Sequence, residues 1–531
     1  MKKYVWAFLL CCGIIACNIG ELDFENLRVQ PISGDFVLPL GFTSYTIRDL
    51  IDEQNDSLPS LTEDTTSLLR LYYTELINYS ANNDFVDIQD IVGSDNLDLS
   101  SVGTVPGAAT IPFTQDVTES YTYAGGDEEL DSVYYSQGQL VLTVNSDAAA
   151  DVNYTITFLN TINQNSGQPV VFTGTVANGQ GSDSPAPQDL AGYYTRLVGS
   201  QNEFSLRFEA NIDVAAGDTF LGDENISYEF TYQNQAFDLI YGKLGEDTIN
   251  VGNEAIDIDF FEDSGDDGFF LGNPVFRFTF DNSFGVPVAT DFSGIYSEDE
   301  DGSQNFLDGN IVRSNNLPVI EAAGNPGETQ QTVIEINRGN SNISQLLSNT
   351  PSRLAFDVTA ISNYYDNTVS NFVQPDNELS GFIEVEIPLE VSLKNYEQSF
   401  AFNLSGGLET KDIDSAFLRI VTINELPFSG KLSMEIQDST RTAIFTIPEV
   451  LVFAAPFIDI NGFVTDPSGA SADIPLSAEA IEALAEGDRI EMKVVLNTPV
   501  SQTSREIFVK ILADYTLDIK VGLGARYNYE F

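Results

Sequence analysis

Seven stretches of this chain alternate apolar and polar residues one by one: GQLVLTV (138–144), VNYTITF (152–158), FSLRFEANIDV (204–214), ISYEFTY (226–232), PVFRFTF (274–280), GFIEVEIPLEVSL (381–393) and DRIEMKVVL (488–496). A period of two sends every second side chain to the same face, so each reads as a strand half-buried in a sheet. Clusters of Asn, Gly, Asp and Pro separate them at hairpin-like spacing. The expected fold is all-β: two β-sandwich-like domains, at 110–300 and 301–531, with a short N-terminal region at 17–109 and few helices.

Helical signals are confined to two places. TTSLLRLYYTEL (65–76) can gather Leu68, Leu69, Tyr72 and Leu76 on one side. SAEAIEALAEG (477–487) offers Ser477 as an N-cap, Glu479 and Glu482 near the positive helix end, and Gly487 as a stop. A faint internal repeat runs from Ile111 and again from Ile387. Both copies pass through an Asp-Ser step (Asp131-Ser132, Asp414-Ser415) and reach a turn near an asparagine (Asn145, Asn424).

The N-terminus reads as an address. Lys2 and Lys3 precede an apolar run from Tyr4 to Ala16, about half the ~20 residues a membrane-crossing helix needs. Ile14-Ile15-Ala16-Cys17 resembles the bacterial lipobox, which makes residues 1–16 a cleaved signal and Cys17 the lipid-bearing first residue. More than one acyl chain would hold the protein stably, since a single chain binds membranes only marginally. Cleavage also removes Cys11, Cys12 and Trp6, the only tryptophan. Stability must then come from a packed core without internal disulfides.

The chain carries 80 Asp and Glu against 23 Lys and Arg, a net charge of −57, and losing Lys2 and Lys3 makes it more negative still. Such a field repels nucleic acid. The 36 Phe and 22 Tyr supply what a disordered acidic chain lacks. The absence of histidine excludes Ser-His-Asp and Cys-His machinery and histidine-bound zinc. Paired carboxylates could still hydrolyse glycosides, but 80 acids give no basis for choosing a pair.

The order of lipobox cysteine, acidic leader, DFVLPLGFTSYTIRDLID, DLIYGKLGEDTINVGNEAIDIDFF, NPVFRFTFDNSFGVPV and DYTLDIKVGLGARYNYEF resembles large outer-membrane lipoproteins of Bacteroidota. That family brings no activity with it. The resemblance implies an outer-membrane, lipid-anchored protein at the cell surface or on the periplasmic face. It also gives meaning to Asp-Ser/Thr steps, which such organisms glycosylate, and Ser132 and Ser415 are the candidates placed alike in the suspected repeat. The closing strand resembles that of outer-membrane barrels, yet strands this acidic do not supply an outward apolar belt, so a final core strand is expected.

One stretch, SEDEDGSQNFLD, invites a calcium reading. Counted from Ser297, oxygen-bearing residues fall at positions 1, 3, 5 and 12 (Ser297, Asp299, Asp301, Asp308), with Gly302 at the turn. The first position is not Asp, the last is not Glu, and no helical pattern flanks the loop, so a solvated acidic turn competes. A second acid-rich turn, FFEDSGDDGFF (260–270), reads as a hairpin tip. Tyr193, Tyr194, Tyr364 and Tyr365 are candidates for stacking on sugar rings. The expected function is a non-enzymatic envelope lipoprotein that binds a partner or has a structural role. The alternative is a glycan-binding accessory protein or carboxylate-dependent glycosidase. An outer-membrane protein or a glycan would be the partner.

Overall fold

The computed structural model describes residues 36–46, 60–80, 88–99, 102–121, 129–257, 268–299, 301–348, 351–403, 415–499 and 507–526. Strands dominate, and the α-helices among the described residues are Ile343–Leu346 and Ala478–Glu486. The second forms as the capping residues require: the Ser477 hydroxyl accepts from the Ala480 N–H, and the Gly487 N–H closes on Ala483. No helix among the described residues is long and apolar enough to cross a membrane.

The other expected helix is a strand, Leu69–Ser80. Its residues satisfy a period of two as well as a period of 3.6, for Leu69 and Leu71 are both buried on one face. Sheet register decides between the two, because Arg70 to Ser80 pair residue by residue with Pro388 back to Glu378.

Strand pairing resolves the body into three units of one topology. The outer unit takes its eight strands from Phe36–Thr46, Tyr396–Asn403, Ser415–Asn424, Ser429–Gln437, Ala443–Phe453, Ser468–Leu476, Arg489–Asn497 and Thr516–Arg526. Numbered in that order, they form one sheet 1-8-3-6 and a second 2-7-4-5. The middle unit repeats both orders with Leu69–Ser80, Thr248–Asp257, Val275–Asn282, Val288–Glu298, Gln304–Phe306, Gln330–Asn337, Arg353–Ser362 and Glu378–Pro388. The inner unit does so with Ile91–Asn96, Ala109–Ser120, Glu129–Ser146, Asp151–Asn163, Pro169–Val176, the short pieces Ser182–Asp183 and Gln188–Asp189, Glu203–Val214 and Ile226–Lys243. This two-sheet, eight-strand order is the jelly-roll arrangement. Aromatic side chains fill the space between sheets: Phe278 meets Phe292 with ring centroids 4.7 Å apart in the middle unit, and Phe158 meets Phe230 at 5.3 Å in the inner one.

The units are nested. The chain lays down the first strand of the outer unit, then that of the middle unit, then the whole inner unit, and only afterwards completes the middle and the outer. The expected domain boundary at residue 300 therefore falls inside the middle unit, where Val288–Glu298 pairs with Arg353–Ser362 and Val275–Asn282 pairs with Glu378–Pro388. Part of the region expected at 17–109 is likewise structural, since it supplies the first strand of all three units.

The third strand ends alike in each unit, where the chain turns from one sheet to the other. Asn282 accepts from the Phe284 N–H, Asn424 from the Leu426 N–H, and Ser146 from the Ala148 N–H. Both asparagines are fully buried and donate their amides to carbonyls, Asn282 to Val286 and Glu321, Asn424 to Phe428 and Ala454.

Backbone and side-chain amide bonds close the joints between units. At the outer joint the Leu69 N–H donates to Ile511, Ile511 to Leu389, and Leu389 back to Leu69, at 2.8–3.1 Å. At the inner joint Ile240–Gly242 pairs with Asn371–Val373, the Asn363 amide donates to Leu244 and Asn371, and the Asn371 amide donates to Gly285.

Glycine matters where a ring lies flat on the backbone. Gly93 sits opposite Phe230 across strands, and a Cβ there would overlap the ring. Gly93→Ala should cost about 1–3 kcal/mol by overpacking, measured as a lower urea midpoint. An unchanged midpoint would show that the ring moves aside freely.

Candidate functional site: a tyrosine ladder at the inner joint

The third and eighth strands of the inner unit each run for 18 residues, toward the middle unit. A short strand, Tyr193–Arg196, lies between its two sheets, paired with Glu129–Ser146 on one side and Asp151–Asn163 on the other. Thr195, Val133 and Tyr135 face the core and are fully buried, so alternation carries Tyr194 and Tyr134 to the outer face.

Register then builds a ladder. Tyr194 lies directly opposite Tyr134, and their rings stack with centroids 5.0 Å apart and planes 14° from parallel. Tyr241 meets Tyr134 edge-on at 6.1 Å. Phe372 of the middle unit, itself buried, packs behind the row, 6.2 Å from Tyr241. Ser132 sits between Arg196 and Tyr241 on neighbouring strands. Polar contacts fix the margin: Ser370 donates to Asp131 at 2.5 Å, and Lys243 pairs with Glu129. Partial burial pushes the Tyr241 phenol above its ordinary pKa, so it stays neutral through the physiological range.

The ladder combines half-buried aromatic rings, phenol hydroxyls, an exposed guanidinium and a serine hydroxyl. These groups recognise ring-bearing, hydroxyl-rich molecules by stacking and hydrogen bonding. They include no nucleophile paired with a base. Among the described residues no group of three or more Asp, Glu, His or Cys is arranged to hold a metal.

Among the described residues, the densest ionic cluster lies elsewhere, on the outer face of the middle unit. Arg277 stands 3.6 Å from Glu384, 3.7 Å from Glu335 and 4.0 Å from Glu386, while Arg70 pairs with Glu386 and Asp64. The Thr66 hydroxyl, Arg70 and the backbone at Thr66 and Leu68 hold the Asp64 carboxyl well below the usual range. Tyr72 donates to Glu384, which pushes its phenol up. With its carboxylates committed to arginines or to Tyr72, this lattice ties strands together rather than offering an acid or a base.

The residues expected to bind calcium are split by a hairpin. Ser297 is buried and pairs across strands with Asn305. Asp299 and Ser303 close the turn, the Asp301 carboxylate accepts from the Ser303 N–H, and Gly302 takes φ +84°. Asp308 leaves the hairpin to bond with Asn342 and Gly309. A turn of this kind uses Asp and Gly for its own backbone, and the twelve-residue ligand loop does not form. Cys17 and residues 260–267 lie outside the described residues. Ser415 opens the third strand of the outer unit, as Ser132 lies near the start of the third strand of the inner one. A sugar on Ser132 would stand over the ladder. Tyr364 and Tyr365 form a separate pair whose hydroxyls donate to Ser314 and Leu317 carbonyls.

Tyr134 and Tyr241 were not legible as site residues. Tyr134 meets Tyr194, and Tyr241 meets Tyr134, only through pairing between distant strands. The local signal is the Tyr-Tyr step in both SVYYSQ and AGYYTR.

No family model matches the chain, and no curated protein matches it. Among solved structures it is similar to a protein of Parabacteroides distasonis described as secreted, at 12% identity and TM-score 0.29, covering 55% of this chain and 90% of that one. It is also similar to a structure of infectious bursal disease virus, Gx strain, at 10% identity and TM-score 0.16, covering 91% and 85%. Likenesses this slight establish neither fold nor activity.

Proposed function

We propose that this chain is a non-enzymatic lipoprotein of the outer membrane, anchored through Cys17, that binds a glycan polymer of the envelope or its surroundings along the tyrosine ladder. The ladder carries the reading: aromatic rings, hydroxyls and one exposed cation share an outward sheet face at a joint between units, with no catalytic pair beside them. The anchor is supported by the Lys2-Lys3 start and the Ile14-Ile15-Ala16-Cys17 ending of the apolar run. The Bacteroidota resemblance supports an outer-membrane location.

The test is affinity electrophoresis of the purified chain through gels containing neutral and acidic polysaccharides. Retardation is expected with at least one polymer, with loss of about tenfold in affinity, ~1.4 kcal/mol, for Tyr194→Ala or Tyr134→Ala at unchanged circular dichroism. Equal retardation of wild type and both variants would move the binding face elsewhere. Hydrolysis of any retarding polymer would overturn the non-enzymatic reading.

A further inference from the structure

We infer that the three units form a rod that stands on the membrane by the far end of the outer unit and presents the far loops of the inner unit as its outward tip. This rests on the Cys17 anchor proposed above.

Strand register gives the linear order. In the middle unit Arg70 pairs with Pro388 and Val275 with Asn337 at one end, while Ser80 pairs with Glu378 and Thr248 with Ile361 at the other. The outer joint, built on Leu69 and Leu389, is at the first end. The inner joint, built on Leu244, Gly285, Asn363 and Asn371, is at the second. The inner and outer units therefore meet opposite ends of the middle one.

The same reasoning orients the outer unit. Thr46 pairs with Thr516, close to the joint at Ile511, whereas Phe36 pairs with Ala525 a full strand away. Ser415 pairs with Arg526, and the helix Ala478–Glu486 follows the strand end at Leu476, at that same far end. The chain from Cys17 thus enters at the end remote from the middle unit. From that end the eleven-residue strand Phe36–Thr46 extends for about 36 Å toward the joint, at ~3.3 Å per residue.

Charge points the same way. Arg196, Arg207 and Lys243 are the only Lys or Arg between residues 88 and 247, whereas residues 389–526 hold eleven. The acidic inner unit is repelled from an anionic lipid surface more strongly than the outer one. Opposite the inner joint, the turns after Asn96, Ser146, Val176 and Val214 make the tip.

Once Cys17 is acylated, an introduced cysteine can be labelled alone. Glu482→Cys marks the far end of the outer unit and Asn178→Cys the tip; both positions are exposed. Full-length lipidated protein on phosphatidylethanolamine/phosphatidylglycerol vesicles carrying acceptor lipids should show strong energy transfer from position 482 and little from 178. Equal transfer, or stronger transfer from 178, would overturn the upright arrangement. Flotation with unlabelled vesicles reads the anchor separately: a lipidated chain that floats but transfers equally refutes the orientation alone, and one that does not float refutes the anchor and the orientation with it.

Discussion

Asn282→Ala and Asn424→Ala should each destabilise the unit that contains them by about 3–4 kcal/mol, among the largest single losses available in this chain. Each asparagine is fully buried and serves three backbone groups: it accepts from the N–H two residues on and donates to two carbonyls, one of them 39 or 30 residues away. Alanine removes the partner of all three, although the Ala454 carbonyl still accepts from the Ser468 hydroxyl, and each buried group left unsatisfied costs about 1–3 kcal/mol, partly relieved if water enters. Ser146→Ala should cost nearer 1 kcal/mol, because the hydroxyl serves one N–H at 3.2 Å. Urea midpoints of the three variants check the ranking. A loss at Asn282 and Asn424 no greater than at Ser146 would mean that the long-range amide bonds do not hold the sheets together.

Alkaline unfolding should begin above about pH 10 and be cooperative. Tyr121, Tyr135 and Tyr232 are buried in the inner unit, joined to Thr161, Thr195 and Gln235: Tyr135 donates to Thr195, Thr161 bonds both Thr195 and Tyr232, and Tyr121 donates to Gln235. Burial pushes all three phenols well above their ordinary value. The sign follows from linkage. The folded chain keeps protons that the unfolded chain releases near pH 10, so stability is intact below that pH and lost above it. By pH 12 each tyrosine still protonated in the fold lowers stability by about 2.7 kcal/mol, and three together approach the whole stability of an ordinary domain. Tyrosinate absorbance and loss of circular dichroism should therefore rise together. Tyr232→Phe should move the alkaline midpoint upward while weakening the fold at pH 7 by about 1 kcal/mol, the bond to Thr161. Gradual ionisation well before unfolding would contradict the closed core.

Alternation made the strands legible, since it records which face of a sheet is buried, and Ser477 with Gly487 made one helix legible through its caps. Residues 65–76 misled because they fit both periods, and their partner strand lies some 300 residues away. The suspected repeat was half right. Ser132 and Ser415 lie near the start of equivalent third strands, but Ile111 is in a second strand and Ile387 in an eighth. Domain limits were not legible because nesting interleaves three similar units, so that no composition shift marks where one ends. The ladder was half visible: a Tyr-Tyr step locates Tyr194, but only the sheet register brings Tyr134 beside it and Tyr241 beside Tyr134.

Nesting also sets the order in which a growing or exported chain can close. The inner unit's strands lie within one continuous stretch, 91–243, and can assemble as soon as that stretch is free. Phe36–Thr46 must wait for Thr516–Arg526, 470 residues further along the chain. Until then the sheet that Phe36–Thr46 belongs to keeps an unsatisfied edge, the kind of surface on which another chain can pair. A chain that lacked Thr516–Arg526 would keep that edge open.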